Sequence, residues 1–142
     1  MEDCRQPDED ATEANKAALF HRVEQALRSS DLDTILEGRV ARAVEDDLVD
    51  FNRKVEPDGS IGEVDVETQN ALIEVTTRRS GKSKQIRKLL ANSDMNPARK
   101  PVILFAPNYG AHATTNITST GAIVVCTEEE LLEVLATLEE KK

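Results

Sequence analysis

Apolar residues recur at helical spacing over the first third of the chain and at strand spacing after it, and this change of period divides the sequence into elements. From about Asp10 to Arg28, Ala17, Leu19, Phe20, Val23 and Leu27 mark one face of an amphipathic helix, which Ser29 and Ser30 end. Leu32, Ile35, Leu36, Val40, Val44 and Leu48 predict a second helix over 32–48, with Ser30 or Asp31 as its N-cap. The period then falls to two. Phe51–Val55, the turn residues Pro57-Asp58-Gly59-Ser60 and Ile61–Glu67 read as a β-hairpin, because those turn residues supply the backbone angles that reverse a chain. Ala71–Thr77 follows after only Thr68-Gln69-Asn70, so a third antiparallel strand completes a meander. Helix resumes over about 82–92, with Ile86, Leu89 and Leu90 as its apolar stripe.

Val102–Ala106 and Ala122–Cys126 are continuous apolar runs, suited to strands buried on both faces. The Gly- and Thr-rich stretch over 108–120 between them gives no clear period. Thr127-Glu128-Glu129-Glu130 is a capping box that starts a final helix carrying Leu131, Leu132, Leu135 and Leu138. The expected architecture is α/β, a mixed sheet flanked by helices. Residues 1–9 read as a disordered acidic tail and 10–142 as a single domain, the size expected of 142 residues.

Composition narrows the class. With 39% hydrophobic and 32% charged residues the chain is of globular type. No apolar run approaches the roughly 20 residues that span a bilayer. The polar, acidic start lacks the basic and apolar regions of a signal peptide, so a cytoplasmic location is expected. Cys4 and Cys126 make no disulfide framework, and His21 and His112 have no ligand-spaced neighbours, which argues against a zinc site. The net charge of -9 disfavours nucleic acid only in the sum. Residues 78–100 carry Arg78, Arg79, Lys82, Lys84, Arg87, Lys88, Arg99 and Lys100 against Asp94, a local charge of +7. A phosphate-rich partner can approach that segment, although a plain solvated basic helix has the same composition. Aromatics are 3% and there is no Trp, so a stacking platform for single-stranded bases is not expected.

The chemistry concentrates in Gly62-Glu63-Val64-Asp65-Val66-Glu67 and Leu72-Ile73-Glu74-Val75-Thr76-Thr77-Arg78. Strand alternation puts Glu63, Asp65 and Glu67 on one face with Val64 and Val66 on the other, and Leu72, Glu74 and Thr76 on a face opposite to Ile73 and Val75. A tight connection makes the two strands neighbours, so Asp65 and Glu74 can converge. Converging carboxylates beside apolar strands repel one another and require compensation. Mg²⁺ or Mn²⁺, with oxygen ligands, is one form of it. A solvent-facing acidic pair, or one bridged to Arg78 and Arg79, is the other.

Gly62-Glu63-Val64-Asp65 followed by Ile73-Glu74-Val75 resembles the core motif of the PD-(D/E)XK, or restriction-endonuclease-like, nuclease superfamily. The chain is similar in particular to YraN-like proteins, archaeal Holliday-junction resolvases and the nuclease domains of contact-dependent inhibition toxins, and the likeness covers roughly residues 32–127. The resemblance implies a restriction-endonuclease-like sheet and metal-dependent hydrolysis of DNA or RNA phosphodiesters. It implies Asp65 and Glu74 as metal ligands, with the Val75 carbonyl as a third. The family's usual lysine, two residues after the glutamate, is replaced by Thr76. Lys82, in preference to Lys84, is then the expected source of the ammonium, and Gln85 resembles a helix glutamine that holds the site in some relatives. A glutamate from the preceding helix is also implied, either Glu37 or Glu45. Arg78, Arg79, Lys82, Lys84, Arg87 and Lys88 would meet the nucleic-acid backbone. The same likeness leaves open a catalytically inactive binding module, a toxin domain cleaving tRNA or DNA with an immunity partner, and a homodimer.

Overall fold

Asp31 ends the link between the first two helices: its carboxylate accepts a hydrogen bond from the Thr34 N–H at 2.9 Å, so that of the two candidates, Ser30 and Asp31, it is Asp31 that caps the second helix. The structure is a computed structural model that describes residues 7–55 and 62–140. Helix α1 spans Pro7–Leu27 and α2 spans Leu32–Ala43. The turn over 57–60 and the start of its strand at Ile61 lie outside the described residues, as do residues 1–6. Helix α1 begins at Pro7, within the stretch read as a tail.

The second helix is shorter than its apolar spacing predicts. It ends at Ala43, a 3-10 turn occupies Glu45–Asp47, and Leu48 already belongs to strand β1, Leu48–Val55. Three consecutive acids at a helix C-terminus face the negative end of its dipole, which disfavours continuation. Leu48 pairs instead with Thr68 of β2, Gly62–Thr68.

Five strands form one sheet in the order β1-β2-β3-β4-β5. Strands β1, β2 and β3 (Leu72–Val75) are antiparallel; β4 (Val102–Phe105) and β5 (Ile123–Val125) continue the sheet in parallel. Thr68 fixes the tight β2–β3 connection, its hydroxyl accepting from Ala71 N–H at 3.0 Å. Parallel neighbours need crossovers, supplied by α3 (Ser83–Ala91) and α4 (Ala111–Thr118). Helix α5 (Glu128–Glu140) follows β5, and its capping box forms as expected, Glu130 N–H donating to Thr127 Oγ1 and Thr127 N–H to Glu130 Oε1.

The stretch without a clear period is thus mostly helix α4. It buries only Ile117, and Thr114 and Thr115 return hydroxyl hydrogen bonds to carbonyls one turn back, so no apolar stripe betrays it. Strand β4 is buried throughout, whereas β5 is an edge strand whose Ile123 and Val124 are only half-buried, a correction to the expectation of burial on both faces.

Side-chain alternation along β3 and β4 feeds two cores. Ile73, Val75, Ile103 and Phe105 pack with α1, α2 and α5 through Val23, Val40 and Leu131. Leu72, Val102 and Leu104 pack on the other face with Ile86, Leu89 and Ile117 of α3 and α4. The molecule is therefore a mixed α/β fold in which helices cover both sides of the sheet. No helix among the described residues is long and apolar enough to cross a membrane.

Candidate metal centre

Strand β2 does not keep the regular alternation expected of it. Val66 packs in the core under α1 and α2, but Val64, two residues earlier, packs in the core under α3 and α4. Their partners on β1 turn over with them: Phe51, opposite Val66, lies in the first core, while Arg53, opposite Val64, reaches Glu67 Oε1 at 3.0 Å and the Met95 carbonyl at 2.8 Å. Between Phe51 and Arg53, Asn52 has a φ of +52°, a left-handed conformation that redirects the side chains beyond it. Val64 and Val66 thus do not share a face. Glu67 is also separated from Glu63 and Asp65, held by Arg53 and by Lys100 Nζ at 2.7 Å.

The β2–β3 ladder is short for the same reason. Its pairs are Val66 with Ile73 and Glu67 with Leu72. Beyond them the Val75 N–H, which a regular neighbour would take, donates to Asp65 Oδ2 at 2.9 Å. A carboxylate replaces a stretch of strand, and the sheet opens there to both helix layers. Glu37 enters the opening from α2; Lys82 and Gln85 enter from the start of α3.

Glu37, Glu63 and Asp65 each bring a carboxylate oxygen within 4.8 Å of the others. Glu74, 3% exposed, lies against Asp65, whose charge opposes its ionisation. Lys82 Nζ donates to Glu74 Oε2 at 3.4 Å, but no donor reaches the buried Glu74 Oε1. Burial, then the Asp65 charge, pushes the Glu74 carboxyl up to about 9. Burial also raises Asp65, against the Val75 N–H that favours its charged form. Glu37 is pushed up to about 8, by burial first and then by Asp65 and Glu63. Four carboxyl groups therefore crowd together at a cost in charge that one ammonium only partly offsets.

This donor set fits a hard divalent cation, which takes oxygen ligands and favours the ionised carboxylates that burial disfavours. The buried, donorless Glu74 Oε1 is an acceptor left for such an ion. Among the described residues, Glu37, Glu63 and Asp65 are the one group of three or more His, Cys, Asp or Glu side chains with ligand atoms mutually close enough to hold a metal ion, and Glu74 borders this group without belonging to it. His21 and His112 are exposed and lie outside it.

Asp65 and Glu74 lie beside each other, and Lys82, rather than Lys84, reaches Glu74. Gln85 Nε2 donates to the Glu63 carbonyl at 3.3 Å, bracing the strand that carries the acids. Thr76 is buried, its hydroxyl accepting from the Arg78 N–H at 3.0 Å. Within an extended strand a residue's N–H and C=O point to the same edge, so the Val75 carbonyl is turned toward the side where its N–H meets Asp65. Glu37, not Glu45, is brought to the cluster. Glu45 lies in the 3-10 turn and lines a separate cavity with Phe20, Glu24, Arg42 and Leu48. Arg78, Arg79, Lys84 and Arg87 are exposed, and Lys88 is half-buried on the same helix.

Other residues at the site went unselected by sequence. Nothing in the strand pattern distinguishes Glu63 from its acidic neighbours, and Asn52 carries no signal beyond being an Asn within a strand, a residue type that tolerates left-handed backbone. Asp33 Oδ1 accepts from both the N–H and the hydroxyl of Thr77, at 3.1 and 2.6 Å, tying α2 to the end of β3. Tyr109 accepts at its hydroxyl from the Lys82 N–H at 3.2 Å, and Asn108 Nδ2 donates to the Thr77 carbonyl at 2.8 Å.

No family model, curated protein or solved structure matches the chain.

Proposed function

We propose that the protein is a divalent-metal-dependent nuclease of the restriction-endonuclease-like kind, hydrolysing phosphodiester bonds of DNA or RNA. The observation that carries this reading is the buried, donorless oxygen of Glu74 beside Asp65, with the Lys82 ammonium on the other oxygen of the same carboxylate. A Mg²⁺ or Mn²⁺ ion bound there supplies positive charge for a phosphate oxygen and lowers the pKa of an attacking water.

The chain's own groups would divide the remaining work. Asp65 and Glu74 hold the ion, and the Val75 N–H fixes the orientation of Asp65. Glu37 and Glu63 add ligand oxygens from the α2 side. Lys82, placed by the first turn of α3 and by Tyr109, offers its ammonium to charge developing on the phosphate, the role that Thr76 cannot fill. Gln85 holds the Glu63 backbone in register. Arg78, Arg79, Lys84 and Arg87 lie exposed on the loop and helix that follow Glu74, where they would position a nucleic-acid backbone without reading its sequence.

Cleavage of duplex DNA, single-stranded DNA and RNA, measured with Mg²⁺ and with chelator, tests the reading. Metal-dependent cleavage is expected, lost in Asp65→Ala and Glu74→Ala and reduced about 10²- to 10³-fold in kcat by Lys82→Met. Cleavage that persists in both alanine variants would falsify the assignment, and salt-sensitive binding without turnover in the parent protein would replace it by a binding module.

A further inference from the structure

A left-handed residue within a strand is uncommon and strained outside glycine. Asn52 adopts this conformation in the middle of β1, opposite the part of β2 that carries Asp65. Two consequences follow from its position. The backbone turns both strands over, separating Phe51 from Arg53 and Val66 from Val64. Its side-chain amide sits 3.1 Å from both Glu63 Oε1 and Glu37 Oε1; the amide oxygen there would meet only acceptors, so the nitrogen is assigned to that side, where it can donate to both. An amide nitrogen has two N–H donors, and here each has one carboxylate.

Glu37 belongs to α2 and Glu63 to β2, so no backbone hydrogen bond sets their separation. Each is repelled by the other and by Asp65. The Asn52 amide draws them together while engaging one oxygen of each, which leaves the second oxygen of each free of this contact. It is a neutral group, so it does this without adding a charge that would compete with a cation.

We propose that Asn52 is a positioning residue that clamps Glu37 and Glu63 at metal-binding separation before an ion enters. The proposal rests on the metal-centre reading above. Outer partners of metal ligands act in this way, by fixing ligand orientation in advance.

The test uses the full chain and Mn²⁺ alone, read by electron paramagnetic resonance without substrate. Asn52→Gly is the informative variant, because glycine accepts a φ of +52° and deletes only the amide. It should remain folded in chelator, with the parent's circular dichroism, and bind Mn²⁺ about 10- to 100-fold more weakly. A residue needed only for the backbone turn would leave affinity unchanged in this variant and lose stability in Asn52→Ala. In the metal-free parent, NMR should find the Asn52 side-chain amide protons slowed in exchange by their two carboxylate partners.

Parent-like Mn²⁺ affinity in folded Asn52→Gly overturns the clamp while leaving the metal centre standing. Asn52 amide protons that exchange as fast as exposed ones overturn it as well, whether or not the glycine variant folds. A parent protein that binds no Mn²⁺ overturns the metal-centre reading itself and the clamp with it.

Discussion

Glu74 occupies an environment that favours its neutral form. It is buried, faces Asp65, and has Lys82 on one oxygen and no donor on the other. Its carboxyl is pushed from the ordinary 4.5 up to about 9, chiefly by burial. A raised folded-state pKa means that the native state binds the proton more tightly than the unfolded chain. The associated stability is fully present below about 4.5 and is lost as pH rises toward about 9. Glu37, pushed up to about 8, adds to the same trend. Urea denaturation in chelator should therefore show a midpoint that falls across this interval, with a shallower fall in Glu74→Gln, and saturating Mg²⁺ should restore stability at the alkaline end by favouring the ionised carboxylates. Identical pH profiles for the parent and Glu74→Gln would show that Glu74 is not held neutral by its surroundings.

At the level of elements, the site depends on how α2 and the loop after β3 are tied together. Asp33, on the first turn of α2, receives both polar hydrogens of Thr77, and Thr77 leads directly into Arg78 and Arg79. Asp33→Ala removes two hydrogen bonds to a carboxylate and should cost about 2 kcal/mol of stability by urea denaturation. Parent-like stability would mean that the loop is fixed by other contacts, such as Asn108 on the Thr77 carbonyl. Much of this framework was legible from local chemistry. Thr127 and Glu130 announced α5, and Thr68-Gln69-Asn70 announced the tight turn that brings Asp65 and Glu74 together. The choice between Glu37 and Glu45 was not legible. Eight residues apart, they share a face of any helix long enough to contain both, and only the end of α2 at Ala43 removes Glu45 from that face. Helix α4 was hidden because its hydroxyls bond to its own backbone and only Ile117 is buried. Regular alternation likewise could not place Glu63 with Asp65 and apart from Glu67, since the left-handed Asn52 breaks the period on which such reasoning rests.

Across the whole molecule, a net charge of -9 coexists with a basic stretch beside the acidic opening. The sheet divides two helix layers, and the opening between β2 and β3 is where groups from both layers meet: Glu37 from one side, Lys82 and Gln85 from the other. A ligand bound there would contact the loops that follow β3 and β4, a common location for sites in sheets with parallel strands. The exposed Arg78, Arg79, Lys84 and Arg87 border the same region in sequence, whereas the acidic termini lie at the two ends of the chain. On the nuclease proposal, such an arrangement would let a polyanion approach locally despite the overall charge. All of this depends on one physical property, the capacity of the clustered carboxylates to hold a cation. Crystals soaked in Mn²⁺ test it most directly through anomalous density. A peak within about 2–2.5 Å of oxygens from both Asp65 and Glu74 is expected. Saturating Mn²⁺ that leaves no peak between those two carboxylates, in crystals where both retain the positions described above, would contradict it.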